Sequence, residues 1–323
     1  GPAVAADVVA RAKTVSGASV QCSGAITLGL KGEHLAEVGL MIEAGCVALS
    51  DGRVAISDAG VLRRALQYIR PFDVPVFLRP AEPSLEADGV MNESSASMHA
   101  GLRGIHSAGE ELGCARIIAL VRETRTRVHL TQETTAAGVN QVRRAKADGL
   151  PITAAVPARH LLLTDAEVER SVYDTATRLL PPLRTESDRQ ACIAGLRDGT
   201  LDAITADHVP WTRIDKELEF MHAKPGANGL ETALGAAWVA LDGDATAVVK
   251  AMAVGPAAVL GRSARISVGG PADVVIFHPE REWTPEAPFR SRGGYDPLSG
   301  RALKARVFAT VVHGRVVFGP RSD

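Results

Sequence analysis

Four cysteines in 323 residues, at Cys22, Cys46, Cys114 and Cys192, form no Cys-x-x-Cys pair. That spacing excludes a zinc ribbon and a disulfide framework, both of which need close, repeated cysteines; free thiols in a cytoplasmic protein are the expectation. No apolar run approaches the ~18–20 residues of a membrane span, and no charged-then-apolar leader opens the sequence. Lys+Arg (36) and Asp+Glu (37) nearly cancel, and no basic block stands out. A nucleic-acid or anionic-membrane surface needs a clustered positive field, so neither partner is expected. A Gly-rich phosphate loop is also missing: Gly29-Leu30-Lys31-Gly32 fits neither GxGxxG nor a Walker A motif. There is no internal repeat and no low-complexity tract.

What the sequence does have is alternation. Short β-branched runs at Ala18–Thr27, Cys46–Ser50, Val74–Leu78, Arg127–Thr131, Pro151–Val156 and Ala203–Ala206 read as strands. Longer amphipathic stretches between them, Gly32–Ala44, Ala59–Arg70, Ser94–Leu112, Thr134–Asp148 and Glu186–Gly199, read as helices. In the second of these Leu62, Leu66 and Ile69 make an apolar face opposite Arg63, Arg64, Gln67 and Arg70. Strands without strict polar alternation, each followed by a helix, predict a parallel sheet covered on both faces. Six such units in series favour an α/β fold of the TIM-type (β/α)8 barrel kind over an open doubly wound sheet. After about residue 264 the pattern changes. Val274–Phe277, Val307–Val312 and Arg315–Phe318 read as strands, the last two joined through His313-Gly314 as a tight hairpin. Trp283–Leu298, rich in Pro, Gly and Arg, reads as a surface loop. The expected division is a barrel over residues 1–263 and a small β-element with its loop over 264–323.

Several stretches together resemble the dihydroorotase branch of the amidohydrolase superfamily. They are Gly89-Val90-Met91-Asn92-Glu93, Gly101-Leu102-Arg103-Gly104-Ile105, Pro181-Pro182-Leu183-Arg184, Asp198-Gly199-Thr200-Leu201-Asp202-Ala203-Ile204 running into Asp207-His208, Gly229-Leu230-Glu231-Thr232, Gly270-Pro271-Ala272-Asp273 and Val312-His313-Gly314-Arg315-Val316. The resemblance implies an amidohydrolase-type barrel of which this chain carries strands three to eight, with a remnant of the family's composite β-domain at the C-terminus. It further implies a metal site, and there the chain departs from the pattern. None of its nine histidines forms a His-x-His pair, so the segment bearing that pair is either removed or outside the sequence. Arg79 stands where the family places a histidine after its fifth strand, and an arginine has no lone pair to offer a metal. Gln132, a poor zinc ligand, stands at the second histidine position, after His129. Ser50-Asp51-Gly52 retains one acidic residue of an Asp-Asp-Gly run, and Asp207 matches the family's proton-shuttling carboxylate. On the substrate side Arg159 and Trp211 replace histidines and Leu180 replaces an asparagine.

These departures predict a vestigial site at Asp51, Arg79, Gln132 and Asp207, with vestigial substrate positions at Arg159, Leu180 and Trp211. Arg79 is expected to fill the vacated metal space by pairing with Asp51 or Asp207; His129 and His160 are expected to make ordinary hydrogen bonds. The reading that follows is a non-catalytic dihydroorotase-like protein without a cofactor, a cytoplasmic homo-oligomer within a larger assembly. Its implied partner is the catalytic subunit of aspartate transcarbamoylase, with Trp283–Tyr295 as part of the contact. One alternative is an active cyclic amidohydrolase with a mononuclear zinc site that uses Asp51 or Asp207 and an additional His-x-His segment. A third reading is a sensor that binds a small anion at Arg79 and Arg159.

Overall fold

The structure, a computed structural model, describes residues 1–15 and 17–319. Its main sheet has six parallel strands: β1 (Ser23–Gly24), β2 (Ala48–Ser50), β3 (Val76–Leu78), β6 (Val128–Leu130), β7 (Ile152–Pro157) and β8 (Ala203–Thr205), in that spatial order. Two further strands, β4 (Met91–Asn92) and β5 (Gly104–Ile105), pair with each other in parallel, away from the main sheet. A C-terminal antiparallel sheet places β10 (Arg306–Val312) between β9 (Val274–His278) and β11 (Arg315–Phe318). Among the described residues β1 and β8 are the two edges of the main sheet, and no pairing joins them.

Of the six main-sheet strands read from the sequence, five are present but shorter and one, Ile152–Pro157, keeps its length shifted by one residue; the three C-terminal strands match their expected ranges to within one residue. Burial on both faces explains why the main-sheet strands lack alternation: Leu49, Val76, Leu130, Ala154 and Val156 are wholly inaccessible. The helix over Ala59–Ile69 shows the expected division. Leu62, Leu66 and Ile69 are buried against the sheet, Arg63, Arg64 and Gln67 face solvent, and the Asp58 carboxylate caps the helix by accepting from Val61 N.

Two expectations are corrected and one helix is added. The stretch Ser94–Leu112 is two helices, Ser95–Ala100 and Ala108–Thr124, with β5 between them. Gly101 ends the first in the left-handed region. Gly104 then lies so close to the preceding strand that a Cβ there would stand 2.5 Å from the Glu93 Cα. The helix expected from Gly32 begins only at Val38, because hydrogen bonds from Leu28 N to His34 O and from Ala36 N to Ile26 O fold residues 26–36 back as a tight loop. The helix Ala233–Ala240 had no sequence signal: it is apolar around its circumference, and six of its eight residues are buried. The hairpin at His313-Gly314 forms as read, with both residues at positive φ (48° and 76°) and β10 paired antiparallel to β11.

The short edge strand β1 has one sheet neighbour, and a buried carboxylate supplements that pairing. Asp51, 2% exposed, follows β2 and reaches across to the chain leaving β1. Its Oδ1 accepts from Ile26 N (2.8 Å) and Thr27 N (3.0 Å), and its Oδ2 accepts from the Thr27 hydroxyl. The Thr27 Oγ1 in turn accepts from Gly32 N at 2.9 Å, so one carboxylate organises the whole 26–36 loop. Asp51→Ala leaves two buried amides and a hydroxyl without their acceptor and is expected to cost about 2–4 kcal/mol, read from denaturant unfolding. A change below about 0.5 kcal/mol contradicts the latch.

Burial also fixes the charge of two histidines near the strand ends. His129, bonded through Nδ1 to the Thr153 hydroxyl (2.9 Å), is held down to about 4, chiefly by desolvation. His160, whose Nε2 lies 3.1 Å from the Pro182 carbonyl, is held down to about 3, first by desolvation and then by the Arg159 and Arg184 charges. Both stay neutral in the fold but take a proton in the unfolded chain below about pH 6.5. Their contribution to stability is therefore present above that pH. It is lost as pH falls from about 6.5 towards 4 and 3, at up to roughly 1.4 kcal/mol per pH unit per histidine. A stability curve flat from pH 7 to pH 5 contradicts this.

Candidate active site

Parallel strands deliver the residues that follow them to one end of the sheet, the usual place for a site in α/β folds. Asp51 directly follows β2 and Arg79 directly follows β3. Gln132, Arg159 and Asp207 each come two residues after β6, β7 and β8. All five candidates thus share the carboxyl edge of the sheet, but the structure uses them differently.

Asp207 is the centre. Its backbone is left-handed (φ 44°), and its amide donates to the Thr205 hydroxyl at 3.2 Å. The carboxylate Oδ1 accepts from Gln132 Nε2 at 2.6 Å. Arg159, 2% exposed, clasps the same turn from β7: its Nη2 donates to the carbonyls of Ala206 (2.9 Å) and Asp207 (2.5 Å). Desolvation raises the Asp207 carboxyl above the usual aspartate range, although the charges of Arg159 and Arg53, the Gln132 hydrogen bond and His208 all pull it down. Gly229 makes this clasp possible, because a Cβ there would stand 2.1 Å from the Ala206 carbonyl oxygen and 2.7 Å from Arg159 Nη2. His208 accepts from Gly229 N through Nδ1 (3.3 Å) and meets the Ser291 hydroxyl through Nε2 (3.3 Å).

Arg79 pairs with neither Asp51 nor Asp207. It makes a bidentate ion pair with Glu86, at 2.6 and 2.7 Å, and its Nε donates to the Arg53 carbonyl at 2.8 Å. Glu86 lies in the turn that leaves β3 and is within reach, while the Asp51 oxygens are already committed to the 26–36 loop. Of the two cations in the alternative anion-sensor reading, Arg79 is thus already paired with Glu86. Arg53 is a second cation, beside Arg159, whose charge acts on Asp207; it was not among the expected site residues, and its one sequence signal is its position two residues past Asp51. Its Nη2 donates to the Leu180 carbonyl (2.7 Å), and burial lowers its pKa against the pull of Asp207. Its Nη1, like Nη1 of Arg159, is buried without a protein partner. Leu180 takes part through this carbonyl. Trp211 is tied to its own loop by donating from Nε1 to the Pro225 carbonyl at 3.0 Å.

Behind the site lies a second polar group that sequence reasoning missed. Arg184 donates to Asn92 Oδ1 (2.9 Å) and to the Thr134 hydroxyl (3.1 Å) and pairs with Glu110 (3.4 Å). Among the described residues neither carboxyl oxygen of Glu133 beside it has a hydrogen-bond partner, and desolvation, then Glu110, pushes it well above the usual carboxylate range. This cluster joins β4 to the carboxyl end of β6. The stretch expected to contact a transcarbamoylase is bound to its own chain: Trp283 bridges Leu303 and donates to the Lys304 carbonyl (3.1 Å), and Arg290 stacks on Phe318. Among the described residues no helix is long and apolar enough to cross a membrane.

A zinc ion requires several converging lone pairs from histidine, cysteine or carboxylate. Among the described residues no group of three or more such side chains is placed to hold one. Asp51 is turned into the fold, Gln132 presents its amide nitrogen to Asp207, and Arg79 is a cation. These donors do not fit zinc.

Comparison with known proteins gives the arrangement its context. Residues 5–135 match the family model described as Dihydro-orotase-like. The dihydroorotase of Anaeromyxobacter sp. (strain K) is 41% identical over 315 residues, covering 96% of this chain and 73% of that protein. Among solved structures, the L-hydantoinase (dihydropyrimidinase) of Arthrobacter aurescens aligns over 97% of this chain and 74% of its own with a TM-score of 0.81 at 22% identity. A D-hydantoinase aligns over 86% of this chain and 65% of its own with a TM-score of 0.72 at 21% identity; the chain shares its fold with these two structures. The relatives overturn the expectation that the chain is not an enzyme, since its curated homologues carry the name of a cyclic-amide hydrolase along nearly its whole length. By identity and coverage, the chain belongs to the dihydroorotase family.

Proposed function

We propose that the chain is a cyclic-amide hydrolase acting on dihydroorotate or a close relative of it, in pyrimidine biosynthesis. One observation in the site carries the reading beyond family membership. Asp207, at the family's proton-shuttling position, has a raised pKa and sits among two guanidinium groups and one amide donor. Opening a cyclic amide adds a water oxygen to the ring carbonyl, breaks the carbon–nitrogen bond, and moves a proton from the water to the departing nitrogen. A half-buried carboxylate with a pKa above the ordinary aspartate range accepts that proton more readily than a solvated one and can hand it on. The positive field of Arg53 and Arg159 offsets charge gathering on the carbonyl oxygen. Gln132 positions Asp207 by holding Oδ1. Zinc, the alternative cofactor, needs donors beyond the residues described, so the assay is run on protein as purified and again after zinc addition.

Conversion of dihydroorotate to carbamoyl aspartate by the purified chain is the test. Asp207→Asn is expected to lower kcat/KM by roughly 10²–10⁴-fold. The wild-type profile should lose activity toward acid with a limb above the ordinary aspartate pKa of about 3.9. Gln132→Met removes a hydrogen bond that lowers the Asp207 pKa and should move that limb to higher pH. No turnover under either condition, or an Asp207→Asn variant with wild-type activity, overturns the proposal.

A further inference from the structure

Two of the four cysteines lie side by side away from the Asp207 cluster. Cys22 immediately precedes β1 and Cys46 lies two residues before β2. The hydrogen bond from Val47 N to the Cys22 carbonyl (2.9 Å) extends the β1–β2 pairing back to them. The Cys46 thiol points at Cys22 with a sulfur–sulfur separation of 3.7 Å. Both are free thiols, Cys22 partly exposed and Cys46 buried.

We propose that this pair is a covalent modification site. A small-molecule disulfide of the glutathione class oxidises it to an intramolecular disulfide that ties the edge strand β1 to β2. The step balances by two exchanges. The Cys22 thiolate attacks the reagent disulfide, forming a mixed disulfide and releasing one reagent thiolate. The Cys46 thiolate then attacks the Cys22 sulfur, forming the protein disulfide and releasing the second. The protein loses two hydrogens and two electrons, and the reagent disulfide is reduced to two thiols. The order of attack follows from access. Cys22 is the one the reagent can reach, while burial and the Cys22 sulfur push the Cys46 thiol up to about 11, which disfavours it as the first nucleophile. The two sulfurs close from 3.7 Å to about 2.05 Å in the disulfide. Cys114 and Cys192 are wholly buried and out of reach of the reagent.

The structural consequence is local and specific. Strand β1 has two residues and a single neighbour. The Asp51 carboxylate fastens the chain that leaves it, and the disulfide fastens the chain that enters it. The closed loop, Cys22 to Cys46, contains the 26–36 turn that Asp51 organises.

The test uses the full chain, reduced and then incubated with oxidised glutathione at neutral pH, with intact mass and peptide mapping as readouts. Wild-type protein is expected to lose two hydrogens, yield a single Cys22–Cys46 peptide pair, and gain roughly 3–8 °C in Tm, reversed by dithiothreitol. Cys46→Ser should stop at one glutathione on Cys22, and Cys22→Ser should not react. A stable glutathione adduct on wild-type Cys22, a cross-link to Cys114 or Cys192, or a folded chain that stays reduced while the urea-unfolded chain reacts would each overturn the proposal.

Discussion

The clasp of Arg159 on the turn after β8 is the contact on which the rest of the site depends. A guanidinium almost completely removed from water costs several kcal/mol unless its donors are met, and here the chain meets one nitrogen with two consecutive carbonyls, Ala206 and Asp207. That requirement fixes the left-handed backbone of Asp207, forbids a side chain at Gly229, and leaves the Asp207 carboxylate facing Gln132. The parallel register of β7 and β8, with Ala155 opposite Ala203 and Pro157 opposite Thr205, brings the two residues to the same level. Sheet pairing, a glycine and one buried cation together decide where the carboxylate stands.

Charge at the sheet edge is divided into self-contained units. Arg79 and Glu86 neutralise each other next to β3, and Asp51 is spent holding β1 to β2. What remains open to chemistry lies on β6, β7 and β8: Gln132, Arg159 and Asp207, with Arg53 contributed from the loop after β2. The buried Glu110–Arg184 network beneath Asn92 then supports that side from below, joining the small β4–β5 pair to the end of β6.

Much of this was legible in the sequence because it follows from periodicity. The order of strands and helices, the apolar face of 59–69 and the hairpin at His313-Gly314 all come from local spacing that the fold preserves. The location was legible: Asp51, Arg79, Gln132, Arg159 and Asp207, expected from the sequence as a vestigial site, all lie at the carboxyl edge of the sheet. Their partners were not legible, because the choice of Glu86 over Asp207 by Arg79 depends on a turn whose path no spacing encodes. The same holds for Arg53, whose role comes from its reach toward Leu180, 127 residues away in sequence. The helix Ala233–Ala240 escaped because complete burial removes the amphipathic signature, and the break at Gly101–Ile105 escaped because it is set by the close approach of Gly104 to the strand beside it. Reading Arg79 and Gln132 as marks of lost activity took ligand identity for function, which the relatives along the chain contradict.

Under the proposed function Asp207 moves the proton and its surroundings set its pKa. The direct measurement is a carbon-13 NMR titration of the Asp207 carboxyl carbon, assigned by its loss in Asp207→Asn, beside the pH dependence of kcat/KM for dihydroorotate. The account predicts that the carboxyl titrates above the ordinary aspartate value of about 3.9 and that the acid limb of the rate falls at the same pH. A carboxyl that titrates at or below the ordinary value, or a limb that does not coincide with it, contradicts the account.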